Sequence, residues 1–415
     1  MVRSYQRHFQ DLPRNLKLFL VGHAVMAFGN SVHALLFNLF LREQGLKEGV
    51  MGSLAATTSL GVALMAFPAA FVLERFAVKP LLITGLVVST LAYLAQVTAP
   101  TVELYTLFGL LGAMGLAVFN ISVSPFIFRH TRIEQRVYAF TMNAAAVMGA
   151  QLVGFTIGGR LPQFLNELGM AAAGAASLKL AMALSLSCTF LALVPMSQIL
   201  RAPVPRNRKP LLQGLADKDW STIGKLMAPK VAIALGAGMI FPFMNVYLTS
   251  KFNLGTAAVG QAFGVLQLCM FFGITISPLM LRRFDRLRFM MYTALLSVPF
   301  MLTMAFATSV GLVLGAFFIR GMLMNMSAPM TSLFEMEKVK EADCLFASSV
   351  LIFCYNTAWT ISTQLGGWII EAHGFHVSFI AAATLYLTAV AFYWYFFRRS
   401  SAEATVCDST PAQAA

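Results

Sequence analysis

One arginine, Arg320, stands inside a long apolar run of the sequence, within the stretch AFFIRGMLMNMSAP. If this run crosses a bilayer, a permanent cation lies near the middle of the hydrocarbon, where it costs about 3 to more than 10 kcal/mol unless it faces protein or water. Two roles are then open. Carbonyl, Asn and Tyr groups could solvate the guanidinium structurally, or its planar fork could face a cavity and bind the carboxylate or phosphate of an anionic substrate. We predict the second role.

A second group of candidate residues lies in the first apolar run. His23, Asn30 and His33 are spaced so that a helix places them on one face. An imidazole changes its charge near neutral pH, which makes His33 a candidate proton site. The alternative is a neutral histidine that is hydrogen-bonded to a neighbouring helix.

Acidic residues are missing from the same depth. All 17 Asp and Glu fall in predicted loops, tails or span ends, so no membrane carboxylate is expected to carry protons or to pair with Arg320. Neutral polar side chains are therefore predicted to complete the substrate site, although each could instead join two helices. Beside Arg320, His33 and Asn30, these candidates are Asn38, Asn245, Asn120, Gln267, Asn325, Asn356 and Gln364.

The composition indicates which elements position these residues. Apolar residues make up 58% of the chain and charged residues only 11%, so the charged share is about half that of an average soluble domain. Runs of roughly 20 apolar residues cross hydrocarbon only as helices. We predict an all-α polytopic membrane protein with twelve spans, at 17–41, 50–73, 80–98, 104–128, 137–159, 178–199, 228–250, 256–281, 289–307, 309–334, 344–370 and 377–397.

The basic residues are distributed unequally between the two sides of this predicted membrane. Arg42, Lys47, Arg160, Lys179 and Lys251 lie on one side, and all the other Lys and Arg except Arg320 lie on the side of the N-terminus. The positive-inside rule places both termini in the cytoplasm, and we expect a cell membrane. The net charge of +13 is then explained by contact with the membrane surface, and no nucleic-acid partner is expected.

The two halves of the chain repeat each other. Leu73-Glu74-Arg75-Phe76 recurs as Leu281-Arg282-Arg283-Phe284, and the same offset of 208 relates Gly52 to Gly260 and Gly158-Gly159 to Gly366-Gly367. Asn38 and Asn245 correspond at an offset of 207. We therefore predict two six-helix bundles that are parallel repeats. The predicted division is an N-terminal cytoplasmic tail at 1–16, bundles at 17–200 and 228–397, a cytoplasmic linker at 201–227 and a cytoplasmic tail at 398–415.

Twelve spans in two repeated halves, with a charged loop after the second span, resemble the major facilitator superfamily. The family's loop signature, roughly G-x-x-x-D-R-x-G-R-K, is met by Glu74, Arg75 and Lys79, while its other positions differ. Its fifth-span signature, G-P-x-x-G-G, is present without the proline as Gly154 to Gly159. The resemblance implies a transporter that works by alternating access, with first helices that line a central cavity.

Charges near one membrane surface are candidates for a cytoplasmic gate. The acid and base invert between the halves, since Glu74 corresponds to Arg282 and Arg129 to Glu337. In the family such charges tie helices together while that side is closed. We predict latches of Glu74 with Arg129 or Arg132, and of Arg282 with Glu335 or Glu337. The alternative is a set of solvated charges worth at most about 1 kcal/mol. The predicted gate comprises Glu74, Arg75, Arg129, Arg282, Glu335 and Glu337.

Glycines are predicted to bring helices together. Small residues let membrane helices approach closely, although a gating bend in the fifth span is the alternative. These glycines are Gly154, Gly158, Gly159, Gly366 and Gly367.

The predicted function is secondary transport of a small amphipathic organic anion, with Arg320 as counter-charge. No P-loop motif is present, so a proton or sodium gradient is the expected energy source. We expect a monomer in the lipid bilayer, with no cofactor and no metal. Efflux of hydrophobic drugs is the alternative, favoured by 24 Met and 36 Phe. A membrane sensor, or an intramembrane enzyme that uses His23 or His33, is a remote alternative.

Overall fold

Twelve long helices account for most of the chain that the computed structural model describes, namely residues 12–200, 218–280, 285–339 and 344–407. The predicted all-α, twelve-span architecture is confirmed. α6 passes through a 3-10 turn at Phe190–Ala192. The helices are α1 Arg14–Glu43, α2 Glu48–Arg75, α3 Val78–Thr98, α4 Val102–His130, α5 Ile133–Glu167, α6 Ala175–Ser197, α7 Trp220–Phe252, α8 Thr256–Met280, α9 Arg286–Phe306, α10 Val310–Glu337, α11 Cys344–His373 and α12 Phe375–Cys407.

Ten of these helices are long and apolar enough to cross a membrane, within the residues described. Several helices extend beyond the predicted spans. α1 begins at Arg14, α7 begins at Trp220 and α12 ends at Cys407. A span is predicted from its apolar run, whereas a helix continues into the polar head-group layer for as long as its backbone hydrogen bonds are made. Residues 201–217 of the predicted linker lie outside the described residues.

Helix contacts within the first half recur in the second half. α1 packs on α5 and α6, and α7 packs on α11 and α12. Likewise α4 packs on α2 and α3, and α10 packs on α8 and α9. The repeat found in the sequence is therefore a repeat of packing. The two most extensive contacts between the halves, α2 with α11 and α5 with α8, are also images of each other.

Glycines allow both of these contacts between the halves. A Cβ placed on Gly52 of α2 would lie 3.0 Å from the Cα of Gly367 in α11. A Cβ placed on Gly260 of α8 would lie 2.8 Å from the Cα of Gly159 in α5. No larger residue fits between backbones this close. Since Gly52 corresponds to Gly260 and Gly159 to Gly367, each glycine crossing is the repeat image of the other.

We distinguish two faces of the molecule by their charge. Successive helices alternate in direction, so α1 begins at the face that carries Lys17, Lys79, Arg129 and Lys338, which we call the basic face. Gly52 lies near the start of α2, so the glycine crossings lie toward the other face, which we call the opposite face. There Glu371 of α11 accepts a hydrogen bond from the Gly49 amide at 3.1 Å. The halves are thus joined near the opposite face.

α7 is broken between Gly238 and Met244, where Phe241–Phe243 forms a 3-10 turn. Pro242 has no amide hydrogen to give to the Gly238 carbonyl, four residues earlier. The Thr363 hydroxyl of α11 donates to that carbonyl instead, at 3.2 Å, and the Ser362 hydroxyl donates to the Leu235 carbonyl. A broken helix is tolerated at membrane depth because neighbouring side chains satisfy the freed carbonyls.

Candidate functional site

A cavity of about 540 Å³ lies between the two halves and is the candidate functional site. Its wall includes residues of α1, α2, α3, α4 and α5 from the first half, and of α7, α8 and α11 from the second. Aromatic rings and neutral polar groups make up most of it, and none of its described lining residues is Asp, Glu, Lys or Arg. A volume of this size fits a small organic molecule. The lining residues include Asn30, His33, Phe37, Asn38, Thr58, Tyr93, Gln96, Gln151, Phe155, Phe241, Asn245, Phe263, Gln267 and Trp359.

His33 is held in the cavity wall by aromatic stacking. Its ring lies 5.1 Å from the Phe37 ring and 4.7 Å from the Tyr93 ring, nearly parallel to both, and the residue is 8% exposed. The His33 Nε2 atom is buried, and the imidazole forms a side-chain hydrogen bond with Gln96 of α3. The alternative prediction, a histidine bonded to a neighbouring helix, also describes His23, whose Nδ1 lies 2.8 Å from Asn143 Oδ1 of α5.

Gln96 of α3 lies beside His33 in the same wall. Its Nε2 donates to the Tyr105 carbonyl at 2.9 Å, which fixes the orientation of the amide. Its Oε1 is buried, and the Gln96 side chain also forms a hydrogen bond with His33. Glycines of α4 make room for this part of the wall, since a Cβ on Gly109 would lie 2.5 Å from Gln96 Nε2 and one on Gly112 would lie 2.5 Å from Tyr93 Cε1.

Two asparagines join the halves across the cavity. Asn38 of α1 donates to the Pro242 carbonyl of α7 at 2.6 Å, and Asn245 of α7 donates to the Leu35 carbonyl of α1 at 2.8 Å. Both asparagines line the cavity, and both lie close to the ends of their helices at the opposite face. We call these two bonds the asparagine clasp. The clasp and the glycine crossings join the halves on the side of the cavity nearer the opposite face.

The α5–α8 contact forms another part of the wall. The Gln267 amide donates to the Gln151 side-chain carbonyl, so a hydrogen bond connects the halves there. The Phe155 and Phe263 rings lie 5.5 Å apart on the same side. The structure thus brings five of the predicted substrate-binding residues into one wall, and these are Asn30, His33, Asn38, Asn245 and Gln267.

The other predicted substrate-binding residues lie outside that wall. Asn325 and Asn356 donate to carbonyls of their own helices, those of Gly321 at 3.0 Å and Ile352 at 2.8 Å. Asn120 is exposed. Gln364 is half-buried, and its Nε2 has no partner in the described part of the chain. A polar side chain in the middle of a span can therefore form a hydrogen bond with the backbone of its own helix instead of lining a cavity.

Arg320 also lies outside the cavity wall, inside the second half. It is 5% exposed, its Nη2 donates to the Tyr386 hydroxyl of α12 at 3.0 Å, and the guanidinium carbon lies 5.4 Å from the centre of the Tyr386 ring. Its Nε has no hydrogen-bond partner and no carboxylate is within ion-pair distance, among the residues described. A tyrosine therefore solvates the cation, as the structural alternative requires. The charge itself is not neutralised by any described group.

Gate residues on the basic face form other ion pairs than those predicted. Glu335, 5% exposed, accepts hydrogen bonds from Lys230 of α7 at 2.7 and 2.8 Å. Glu337 forms an ion pair with Arg286 of α9. Arg282, and the side chains of Glu74 and Arg75, lie outside the described residues, so their latches stay a prediction. Arg129 lines a separate polar cavity of about 700 Å³, together with Arg132.

The predicted glycines lie at close helix contacts. Gly154 and Gly158 of α5 pack against α1, where added Cβ atoms would meet the Phe28 carbonyl at 2.8 Å and Val32. Gly366 of α11 packs against Met239 at the break in α7. Gly159 and Gly367 belong to the glycine crossings described above.

Sequence reasoning missed Tyr93, Gln96 and Trp359 in the wall, as well as Lys230. Gln96 is the one glutamine in the apolar run of α3, a signal that could have found it. Lys230 falls at the start of the predicted span 228–250, where its charge is assigned to the cytoplasmic side, but it lies inside α7, well after the helix start at Trp220. What the wall can do is bind an amphipathic molecule through ring stacking and neutral hydrogen bonds.

Comparison with known proteins agrees with this architecture. The sequence profile of the Major Facilitator Superfamily matches residues 19–343 and, in a second alignment, residues 226–412. No curated protein sequence matches the chain.

Solved structures with the same fold are transporters of 12–14% identity to this chain. A bacterial homologue of the human lysosomal transporter Spinster, inward-facing and unoccupied, gives a TM-score of 0.73 at 14% identity, over 93% of this chain and 97% of that one. The nucleoside transporter NupG gives 0.71 at 13% identity, over 91% and 98%. The human organic anion transporter MFSD10 gives 0.63 at 14% identity, over 92% and 99%.

Proposed function

We propose a function for the chain from one premise: it belongs to the Major Facilitator Superfamily. It is therefore an integral, multi-pass membrane protein and a secondary transporter of an organic solute, a carrier and not an enzyme. We propose that its solute is small, amphipathic and anionic. The observation that carries this proposal is the cavity of about 540 Å³ between the two halves.

The cavity wall supports an amphipathic solute. Phe37, Phe155, Phe263 and Trp359 offer apolar faces, while the amides and the imidazole offer neutral hydrogen bonds. Pockets for small molecules combine such an apolar wall with a few placed polar groups. Since no described wall residue has a fixed charge, most of the binding free energy comes from stacking and apolar burial.

The anionic class rests on Arg320, which stays a proposed site residue. A buried cation with no described counter-ion produces a positive potential around it, and this potential is strong where water is excluded. The ring centre of Trp359 in the wall lies 5.8 Å from that of Tyr355. Tyr355 in turn lies near both Tyr386 and Arg320. Arg320 thus acts on the cavity from behind its wall rather than by direct contact. An anionic solute would be drawn to that side of the cavity.

Alternating access fits the distribution of contacts between the halves. The asparagine clasp and the two glycine crossings join the halves near the opposite face. We propose that in this conformation the cavity opens toward the basic face. We propose that the basic face is cytoplasmic, as the positive-inside rule indicates, and that the membrane is the cell membrane. The predicted bundles at 17–200 and 228–397 are the proposed moving bodies, and the proposed working unit is a monomer.

We propose that His33 carries the proton that couples transport of the solute to a proton gradient. It is the imidazole of the described wall, a group that exchanges protons near neutral pH when it is in water, and no described wall residue is a carboxylate that could carry the proton. Sodium is the alternative ion. A hard cation prefers oxygen ligands, which the wall supplies as side-chain amide and hydroxyl oxygens.

Flux of benzenesulfonate into proteoliposomes tests the anion proposal, because this anion crosses lipid poorly by itself. We compare wild type with Arg320→Gln and Arg320→Lys, and use Tyr386→Phe to remove only the hydroxyl that accepts from Arg320. The proposal expects at least tenfold slower uptake in Arg320→Gln and partial activity in Arg320→Lys. Equal uptake by wild type and a stably folded Arg320→Gln would refute the role of this charge.

Efflux of hydrophobic drugs remains the second candidate, because aromatic rings provide so much of the cavity wall. A lipophilic cation, ethidium, tested in the same proteoliposomes discriminates the two. The anion proposal expects no ethidium transport, whereas the efflux proposal expects ethidium transport that Arg320→Gln leaves intact.

A further inference from the structure

Another cavity of about 540 Å³ lies at the opposite face, inside the second half and apart from the candidate functional site. Its wall is formed by the end of α7, the end of α9 and the start of α12, and it includes Tyr247, Ser250, Lys251, Phe306, Phe375 and His376. None of its described lining residues is acidic. We propose that this cavity binds the phosphate head group of an anionic phospholipid from the leaflet at the opposite face.

The cavity lies at the depth of the lipid head groups. Each of its lining residues is within three residues of an end of one of the apolar runs 228–250, 289–307 and 377–397. Apolar runs match the hydrocarbon, so their ends meet the layer in which lipid phosphates lie. The main contacts of α9 and α12 are with α7, α10, α11 and each other, and none of these helices belongs to the first half. The cavity is therefore on the lipid-facing side of the second half.

Lys251 supplies the positive charge of this cavity. Its Nζ donates to the Tyr247 hydroxyl at 3.1 Å and to the Ala305 carbonyl at 3.4 Å, and it lies 5.2 Å from the centre of the Tyr247 ring. These contacts hold the ammonium at the cavity wall and use two of its three N–H donors. No carboxylate is within ion-pair distance of Lys251 among the residues described. One donor and the positive charge are thus left for an anion.

The Ser250 hydroxyl is a second donor in the wall. Its Oγ is buried and has no hydrogen-bond partner in the described part of the chain. The neighbouring Thr249 hydroxyl donates to a carbonyl of its own helix, that of Asn245, at 2.9 Å, but Ser250 does not. Since buried polar atoms are nearly always paired, an unpaired hydroxyl in a cavity wall points to a ligand that accepts from it. Phosphate oxygens accept from an ammonium and a hydroxyl together, and the imidazole of His376 has an N–H for a third bond.

The apolar part of a phospholipid has a matching surface beside the cavity. Phe306 of the wall is 64% exposed, and Leu302 and Leu295 of α9 are 38% and 45% exposed. Their spacing of four and seven residues places these three side chains on one face of α9. This stripe leads from the cavity toward the middle of the membrane, as an acyl chain does. A soluble phosphate would use only the charge, so a phospholipid is the occupant that fits both features.

The first half has no equivalent site. At the offset of 207, Lys251 corresponds to Gln44 and Ser250 corresponds to Glu43. A carboxylate thus stands where the second half has a donor hydroxyl, and it would repel a phosphate. We therefore expect one such lipid for each chain. This expectation does not depend on the identity of the transported solute.

Lipid binding to the full chain in neutral detergent tests the proposal. Native mass spectrometry counts the bound molecules and gives their affinities. The probes are phosphatidylglycerol, phosphatidylcholine with the same acyl chains, and glycerophosphoglycerol, which is the anionic head group without its chains. The variants are Lys251→Gln, Lys251→Arg and Ser250→Ala. Lys179→Gln is the matched control, because it removes the same charge from the same face outside the cavity.

Wild type should bind one phosphatidylglycerol about tenfold more tightly than phosphatidylcholine, because the choline cation of the latter opposes the charge of Lys251. Lys251→Gln should abolish this preference, whereas Lys251→Arg should keep most of it. Ser250→Ala should weaken phosphatidylglycerol binding about fivefold. Lys179→Gln should bind as wild type does. Melting temperatures without added lipid show that each variant is folded, and Lys251 is exposed, so its substitution should change them little.

Three results would overturn the proposal. A preference that survives in Lys251→Gln would show that this lysine does not bind the head group. An equal loss in Lys179→Gln would show that the charge of the whole face attracts the lipid. Glycerophosphoglycerol that binds as tightly as phosphatidylglycerol would show that the occupant is a soluble anion and not a lipid.

Discussion

Asn38 of α1 and Asn245 of α7 occupy corresponding positions in the two halves, and each donates its side-chain amide to a backbone carbonyl of the other's helix. The acceptors are Pro242 and Leu35. Each half therefore donates one hydrogen bond to the other half, and the two bonds run in opposite directions. Opening of the cavity at the opposite face must break both bonds together.

The first prediction concerns this asparagine clasp. Each such bond contributes about 0.5–1.5 kcal/mol net, so the double variant Asn38→Ala with Asn245→Ala should shift the equilibrium toward an open opposite face by roughly fivefold to a hundredfold. The measurement is maleimide labelling of Ala34→Cys, a wall position, from that face, after the five native cysteines are replaced. Asn356→Ala is the control, because Asn356 bonds within its own helix. Labelling rates equal to those of the control would contradict the prediction.

The second prediction concerns the glycine crossings. In Gly260→Ala the new methyl group would lie 2.8 Å from the Cα of Gly159, and α5 and α8 would have to separate. We expect initial uptake rates to fall at least tenfold and the melting temperature to fall. Gly149→Ala in α5, the partner helix of this contact, is the matched control, since its Cβ would have no neighbour within 4 Å. Similar behaviour of the two variants would show that the crossing is not required.

The third prediction concerns the ion pair of Lys230 and Glu335. Their side chains are 20% and 6% exposed, so removal of one partner leaves a largely buried charge. We expect Lys230→Met to lower the free energy of unfolding by about 3 kcal/mol, and Lys230→Met with Glu335→Met to restore most of it. Thermal unfolding in detergent provides the measurement.

The control for that pair is the more exposed ion pair of Lys47 and Glu371, at 3.4 Å, whose side chains are 75% and 35% exposed. Lys47→Met should cost less than about 1 kcal/mol, because solvent screens the charges. If the double variant at the buried pair were less stable than Lys230→Met alone, the interaction would not be the source of the loss.

The fourth prediction concerns proton coupling through His33. Uptake driven by an inward proton gradient should be present in wild type and lost in His33→Gln, while exchange of solute at equal pH on both sides should persist. The His33 ring faces Phe37, Tyr93 and Gln96, so no described carboxylate can take over its proton. Gradient-driven uptake that survives in His33→Gln would assign the coupling to another group or to sodium.

The repeat was the part of the fold that the sequence predicted best, because it shows in residue identities. The offset of 208 establishes that Gly52 corresponds to Gly260 and Gly159 to Gly367. It does not establish that Gly52 meets Gly367, since that depends on which helices of the two halves pack together. A correspondence within the chain is visible in the sequence, whereas a contact between helices is not.

The candidate site was predictable only in part, for a related reason. α1 and α7 approach the cavity at several positions, so their polar residues were good candidates. In the sequence, Arg320 stands among apolar residues, just as a residue that lines a cavity would. Only the position of α12 in the structure shows that the Tyr386 hydroxyl accepts its hydrogen bond. Gln96 belongs to no periodic pattern of polar residues. The orientation of its side chain depends on a hydrogen bond to the Tyr105 carbonyl, and the sequence does not show that this carbonyl is close to it.

The position of the two glycine crossings would determine the amplitude of a movement between the halves. They are the closest backbone approaches near one face, and a line through them would be the axis if one half turned against the other there. From Gly52 to Arg75, α2 extends roughly 35 Å beyond this axis at 1.5 Å per residue. A rotation of about 10° would therefore move the far end of α2 by about 6 Å, which is wide enough for a benzene ring to pass edge-on. A pivot placed so far to one side turns a small rotation into an opening of the size of the solute.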